Sequence, residues 1–441
     1  MDTIFSEAAG FNPTVPVLMH IDLNSCFATV EQQANPKLRG KPVAVAAYTT
    51  GGGCILAASY EAKKFGVTTG IRVRDGRALC PDLIILPPDP DKYRFVNRKL
   101  LFLLREYTAD VTVKSIDEMA LNLASAPKIA NLPPGQNRMT QRMQTIGEEI
   151  KRRIKAEIGD YLTVSIGIST NRFLAKIASG LHKPDGLDFI TADNVETVFS
   201  GMELEEICGI KSGYGGQLRQ AGITTALSFY RAPISLLRHA FHSIIGYHWW
   251  LRLHGWEADD RDFGRKSFGN SHALYVPYDT ADPRFFQILC QLSEKTGRRL
   301  RAHGYAARGV AVSAFFSDRT YAHKSQLLNR TIYASGEIYE ATFSIIRGFP
   351  AKGVRILAIA CFALEEAMRE QLELFVSRER VRRLTKAIDQ INDRWGEFVV
   401  RPGRMLGMER KILDRIAFGG IKELEEFTFR EEISMESFAS F

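Results

Sequence analysis

No apolar run in this 441-residue chain approaches the roughly 18 residues needed to span a bilayer. No transmembrane helix and no membrane partner are therefore expected. The segment Met1-Asp2-Thr3-Ile4-Phe5-Ser6-Glu7 lacks the basic start and long apolar stretch of a secretory signal, so export is not expected either. Cysteine is sparse. Cys26, Cys54, Cys80, Cys208, Cys290 and Cys361 are widely spread with no Cys-x-x-Cys pair, which argues against a zinc site or disulfide framework and predicts reduced, mostly packed thiols in a cytoplasmic protein.

What remains is ordinary globular material with a basic bias. Apolar residues make up 45% and charged residues 24%, and the length allows three or four domains. The net charge of +8 modestly favours a polyanionic partner. From Lys295 to Arg330 the cations Lys295, Arg298, Arg299, Arg301, Arg308, Arg319, Lys324 and Arg330 face only Asp318 as an acid, a balance suited to following phosphates.

Hydrophobic patterning predicts strands at Val15–Asp22, Lys41–Ala47, Asp110–Ser115, Met119–Leu123 and Leu162–Gly167. Helices are predicted at Tyr60–Phe65, Tyr93–Tyr107, Gln141–Ile158, Asn171–Ser179 and Ser377–Trp395, with a proline-rich loop over 125–140. Strands alternating with long helices indicate an α+β core. Lys183-Pro184-Asp185-Gly186 reads as a turn and domain boundary, and residues 205–223 as two short helices around a glycine-containing hairpin able to hold a phosphate. Residues 267–364 form a second α+β unit.

The most informative feature is Ser115-Ile116-Asp117-Glu118, far along the chain from an isolated acid, Asp22, that closes an apolar strand. Adjacent carboxylates beside Val111, Val113 and Leu121 need a cation to neutralise them. A pair of divalent ions would do so, and three such acids together suit phosphoryl transfer.

Five ordered segments carry a resemblance to the Y-family of lesion-bypass DNA polymerases, nearest the bacterial polymerase IV and V classes. They are His20-Ile21-Asp22-Leu23-Asn24-Ser25-Cys26-Phe27-Ala28, Gly40-Lys41-Pro42-Val43, Ser59 to Val67, Ser115 to Glu118, and Ser165 to Ser179. The resemblance implies a right-hand polymerase with an additional α+β little finger. An arm and the first part of the palm would lie in 1–30, the fingers in 31–90, the second part of the palm in 91–183, the thumb in 184–260 and the little finger in 266–365. Residues 366–441 would follow as a tail.

It also implies roles. Asp22 and Asp117 would bridge two Mg²⁺ ions, with Mn²⁺ a substitute; Glu118 would serve the primer-side ion and the Leu23 carbonyl the nucleotide-side one. Tyr60, Lys63 and Lys176 would bind the triphosphate of an incoming dNTP. Phe27 would be the steric gate that rejects a 2′-hydroxyl, and Ala47, Gly53, Cys54 and Ala57 would leave a roomy pocket around the nascent base pair. Asn24, Cys26, Ala57, Lys63 and Lys211 depart from the common family pattern; a lysine at 63, for example, replaces a bidentate phosphate fork with a point charge.

Gln371-Leu372-Glu373-Leu374-Phe375 matches the pentapeptide by which bacterial polymerases bind the sliding clamp, with Gln371, Leu372, Leu374 and Phe375 as contacts. The expected activity is low-fidelity translesion synthesis on primer-template DNA by a nucleoid-associated monomer, apart from the clamp and accessory proteins. The alternative is an inactive clamp-bound scaffold of the same fold. A two-metal nuclease would need neither a steric gate nor triphosphate lysines.

Overall fold

Leu18–Leu23 is buried along almost its whole length, so its sequence reads as a continuous apolar run rather than an alternation. It forms β1, the centre of a five-stranded sheet in the computed structural model, which describes residues 10–127, 136–259, 264–367, 377–396 and 398–407. These fall into two compact units, residues 10–259 and 264–407.

In the first unit, α1 (Cys26–Ala34) follows β1. A small sheet then contains β2 (Val43–Ala46) and β3 (Ile55–Ala58), with α2 (Tyr60–Lys63) and α3 (Val73–Leu79) leading to β4 (Ile84–Leu86). Its order is β3-β2-β4, β2 lying antiparallel to β3 and parallel to β4. Helix α4 (Pro90–Arg105) precedes β5 (Val111–Val113) and β6 (Glu118–Asn122). After α5 (Gln136–Glu157) come β7 (Val164–Ser169), α6 (Arg172–Leu181) and β8 (Leu187–Phe189). The central sheet runs β5-β6-β1-β7-β8, and β1 is antiparallel to both neighbours. One core, including Ile21, Phe27, Tyr93, Leu100, Met119, Ile150 and Ile166, joins this sheet to α1, α4 and α5.

Five helices complete the unit: α7 (Val195–Ser200), α8 (Ser212–Gln220), α9 (Ala226–Arg231), α10 (Ile234–Phe241) and α11 (Ile245–Leu253). They share a core around Phe199, Phe229 and Trp249. Gly209 has φ +93° and lies against Trp249, whose ring would sit 3.2 Å from an added Cβ. Two residues on, Lys211 is extended (φ −129°) as the N-cap of α8, a conformation open to any residue. The backbone at this departure from the family pattern therefore places no requirement for glycine.

The second unit is built from β9 (Ser267–Asp279), α12 (Pro283–Ala302), β10 (Tyr305–Phe316), β11 (Tyr321–Ile332), α13 (Ser335–Ile346), β12 (Gly353–Glu366) and α14 (Ser377–Trp395). Its antiparallel sheet has the order β11-β10-β12-β9.

The basic stretch in this unit divides into structural and exposed members, which the sequence count did not separate. Arg301 is buried, forks onto Asp389 at 2.6 and 2.8 Å, and donates to the Tyr333 carbonyl. Arg298 pairs with Asp393, and Arg299 donates to Asn270 and the Gly269 carbonyl. These three hold α12 to its neighbours. Lys324 and Arg330 lie on β11, most of whose residues are exposed.

Candidate active site

Strand register brings the acids together. Asp22 on β1 is the cross-strand partner of Glu118 on β6, and the Leu23 amide donates to the Asp117 carbonyl at 2.9 Å. Asn97 on α4 donates to the Ile116 carbonyl at 2.9 Å, fixing the turn before the acids. The Asp117 carboxylate accepts from the Ser115 hydroxyl.

The required cations are present as lysines. Lys176, near the middle of α6, reaches both oxygens of Glu118 at 2.6 and 2.9 Å. Lys183 reaches Asp22 Oδ2 at 2.6 Å. The Lys183 turn is itself anchored to the site: the Asp185 amide donates to Asn24 Oδ1, while Asn24 Nδ2 donates to Ser165 on β7, both at 2.9 Å. Asn24, read from sequence as a departure from the family pattern, is a buried amide that bonds both ways.

Electrostatics follow from this burial. Desolvation pushes the Asp22 carboxyl up to about 6 despite Lys183, and it also raises Asp117. Burial works on Glu118 in the same direction, yet the positive field of His20 and Lys176 holds it below the ordinary range. Since burial lowers His20 to about 4, that imidazole is neutral near pH 7 and Lys176 carries the effect there. Among the described residues, His20, Asp22 and Glu118 place ligand atoms within 4.8 Å of one another. The donor set suits a divalent cation: the Asp22 carboxylate, destabilised by burial, and the ionised Glu118 carboxylate adjoin the buried His20 Nε2, which has no hydrogen-bond partner among the described residues.

The other expected nucleotide contacts gather around the same acids. Lys63 stands over the Tyr60 ring at 4.4 Å, and its pKa is lowered by burial and by the charge of Lys183. Burial raises the Tyr60 phenol, and the negative charge of Asp22 acts on it in the same direction. Phe27 is only 7% exposed and stacks on Tyr93, ring centroids 4.3 Å apart and planes 12° from parallel. Tyr93 is tied by its hydroxyl to Glu31 at 3.0 Å, and Lys92 holds the other oxygen of that acid at 2.9 Å.

Lys183, His20, Asn97 and Tyr93 were not singled out from sequence. Lys183 had a visible signal, a lysine before the turn-forming Pro184-Asp185-Gly186, but nothing local says that this turn reaches Asp22. The four clamp-motif residues Gln371, Leu372, Leu374 and Phe375 lie outside the described residues, as does part of the predicted proline-rich loop.

Residues 21–180 match the impB/mucB/samB family and residues 265–374 its C-terminal domain. The chain is 31% identical over 395 residues to DNA polymerase IV of Pelotomaculum thermopropionicum, covering 87% of this chain and 93% of that protein. It is 32% identical over 388 residues to DNA polymerase IV of Moorella thermoacetica, covering 86% and 93%. A Y-family DNA polymerase chimera of Dbh and Dpo4 shares the fold with a TM-score of 0.66, at 22% identity, over 79% of this chain and 98% of that one. This chain belongs to the impB/mucB/samB family of Y-family DNA polymerases. Members are metal-dependent and act on DNA, and the α+β architecture expected from sequence is the one observed.

Proposed function

We propose that this chain is a template-directed, low-fidelity DNA polymerase that joins dNTPs to a primer 3′-hydroxyl and synthesises past lesions. The observation that carries this reading is the meeting of Asp22, Asp117 and Glu118 at the β1/β6 junction, with Lys176 and Lys183 against two of them. Residues 91–183 would contribute palm, 31–90 fingers, 184–260 thumb and 266–365 a little finger.

Asp22, Asp117, Glu118 and the Leu23 carbonyl would hold two divalent ions, taken as Mg²⁺, with Mn²⁺ able to substitute. When bound, these ions lower the cost of deprotonating the attacking hydroxyl and of charge on the leaving pyrophosphate. The chain's own residues supply position and charge. Lys176 and Lys183 neutralise the acids before substrate arrives and can pass to the triphosphate without leaving the site. Lys63 and Tyr60 add a cation and a donor beside Asp22. Phe27, backed by Tyr93, supplies a rigid wall on which the sugar would rest, and rigidity is what lets a ring exclude a 2′-hydroxyl.

Gln371, Leu372, Leu374 and Phe375 would tether the enzyme to a bacterial sliding clamp. The protein would work in the cytoplasm on nucleoid DNA; among the described residues no helix is long and apolar enough to cross a membrane.

Primer extension on undamaged and abasic templates, comparing the parent with Asp117→Ala, tests the activity. Extension by the parent and its loss in the variant is expected; equal extension by both, or none by either with Mg²⁺ or Mn²⁺, would overturn it. Alanine at Gln371, Leu374 and Phe375 should abolish stimulation by clamp and spare basal synthesis.

A further inference from the structure

Helix α14 is docked by its polar side. Asp389 and Asp393 pair with Arg301 and Arg298, and Arg382 donates to the Ala367 carbonyl at 2.6 Å. Buried Asn392 exchanges two hydrogen bonds with Val400, at 2.9 and 2.8 Å. The apolar stripe points elsewhere. Val381, Leu384, Ile391 and Trp395, spaced to share one helical face, are 44, 61, 40 and 66% exposed. Docking of this kind inverts the usual amphipathic arrangement and leaves a contiguous apolar face that asks for a cover. Arg380, Arg383 and Arg394, all exposed, follow that stripe along the edge away from the docked side.

We propose that residues 421–441 of the same chain bind this face. The segment carries Ile421, Leu424, Phe427 and Phe429 among six acids, Glu423, Glu425, Glu426, Glu431, Glu432 and Glu436, against two bases, Lys422 and Arg430. It therefore offers apolar anchors for the stripe and negative charge for its arginine edge. Connectivity permits the contact. Met405 is buried in the core of this unit, so the chain leaves the described structure at Gly407 from the body that carries α14. Residues 408–420 could span about 40 Å when extended, whereas a 19-residue helix such as α14 is about 28 Å long. A tether of that length presents the segment at an effective concentration near millimolar, so a weak contact suffices.

Hydroxyl-radical footprinting read by mass spectrometry on the full chain and on a chain ending at Gly420 tests this. Deletion should raise the reactivity of Trp395 and Leu384 roughly threefold or more while the melting profile stays unchanged. Glu423→Lys, Glu425→Lys and Glu426→Lys together should reproduce much of that rise at full length. Equal reactivity in the full and shortened chains would overturn the proposal. So would protection that grows with protein concentration, which would mean a second copy; protection that requires DNA; or protection that survives deletion and is lost on replacing Gln371–Phe375.

Discussion

Lys183 Nζ lies 2.6 Å from Asp22 Oδ2, so the cation nearest the first acid of the site is a side chain of the protein itself. A lysine there lowers the cost of a buried carboxylate and also competes with any divalent ion for it. Replacing it with methionine should therefore tighten Mg²⁺ or Mn²⁺ binding in the absence of nucleotide. A gain of roughly three- to tenfold is expected for removing a partly exposed like charge. The same variant should extend primers more slowly, because a triphosphate cation is lost. Calorimetric titration checks the first effect and single-turnover extension the second; weaker metal binding would show that Lys183 does not compete.

Burial places the folded pKa of Asp22 near 6, above its ordinary 3.8. A raised pKa favours the protonated form in the folded state, so the associated stability is complete below 3.8 and is lost as pH rises to about 6. Above that the ionised group strains the metal-free fold. Asp22→Asn should consequently melt higher than the parent at pH 8 in a chelator, by an amount corresponding to at most about 3 kcal/mol. The advantage should shrink toward pH 4. Thermal melts across that range give the comparison, and a variant less stable at pH 8 would refute the assignment.

The Phe27–Tyr93 stack makes two separable predictions. Phe27→Ala should admit ribonucleotides and should also cost about 3 kcal/mol of stability, since a buried ring is removed. Phe27→Leu fills more of the space and should lose sugar discrimination with a smaller stability cost. Competition between dNTP and NTP incorporation, measured beside urea unfolding, distinguishes the effects. Unchanged discrimination in both variants would take Phe27 out of the gate.

Much of this site was legible because strand patterning and short motifs are local. The apolar run ending in Asp22 gave β1, Ser115–Glu118 gave the neighbouring acids, and the pattern of α14 was predicted with the residue bounds observed. What could not be read was contact across long separations. Lys183 and Asp22 are 161 residues apart, and the turn is brought back to the site by β7–β8 pairing and by Asn24, whose side chain bonds both the Asp185 amide and Ser165. The charge balance counted over the basic stretch was incomplete for the same reason. Its apparent shortage of acids ignored Asp389 and Asp393, which return on α14 to neutralise Arg301 and Arg298. Likewise, hydrophobic spacing identifies the apolar face of α14 but not whether that face turns inward; here the polar side is the docked one, through the Arg301–Asp389 and Arg298–Asp393 pairs and buried Asn392.

Gly167 offers a test of how Lys176 is positioned. This residue of β7 pairs with His20 on β1 and lies beneath α6; a Cβ added there would fall 2.0 Å from the Ala175 carbonyl oxygen and 2.2 Å from the Ser179 amide. Both obstacles are backbone, so no rotamer change relieves them and α6 must shift or unwind. Lys176 lies on the helical segment between those two atoms. Gly167→Ala should therefore destabilise the chain by about 3 kcal/mol or more and displace Lys176 from Glu118. A general loss of stability is separated from misplacement by comparison with Ile150→Ala, a cavity in the same core. Below the melting transition of either variant, the glycine substitution alone should raise KM for dNTP, by tenfold or more. If both variants retain the parental KM, the close packing of α6 on β7 does not set the position of Lys176.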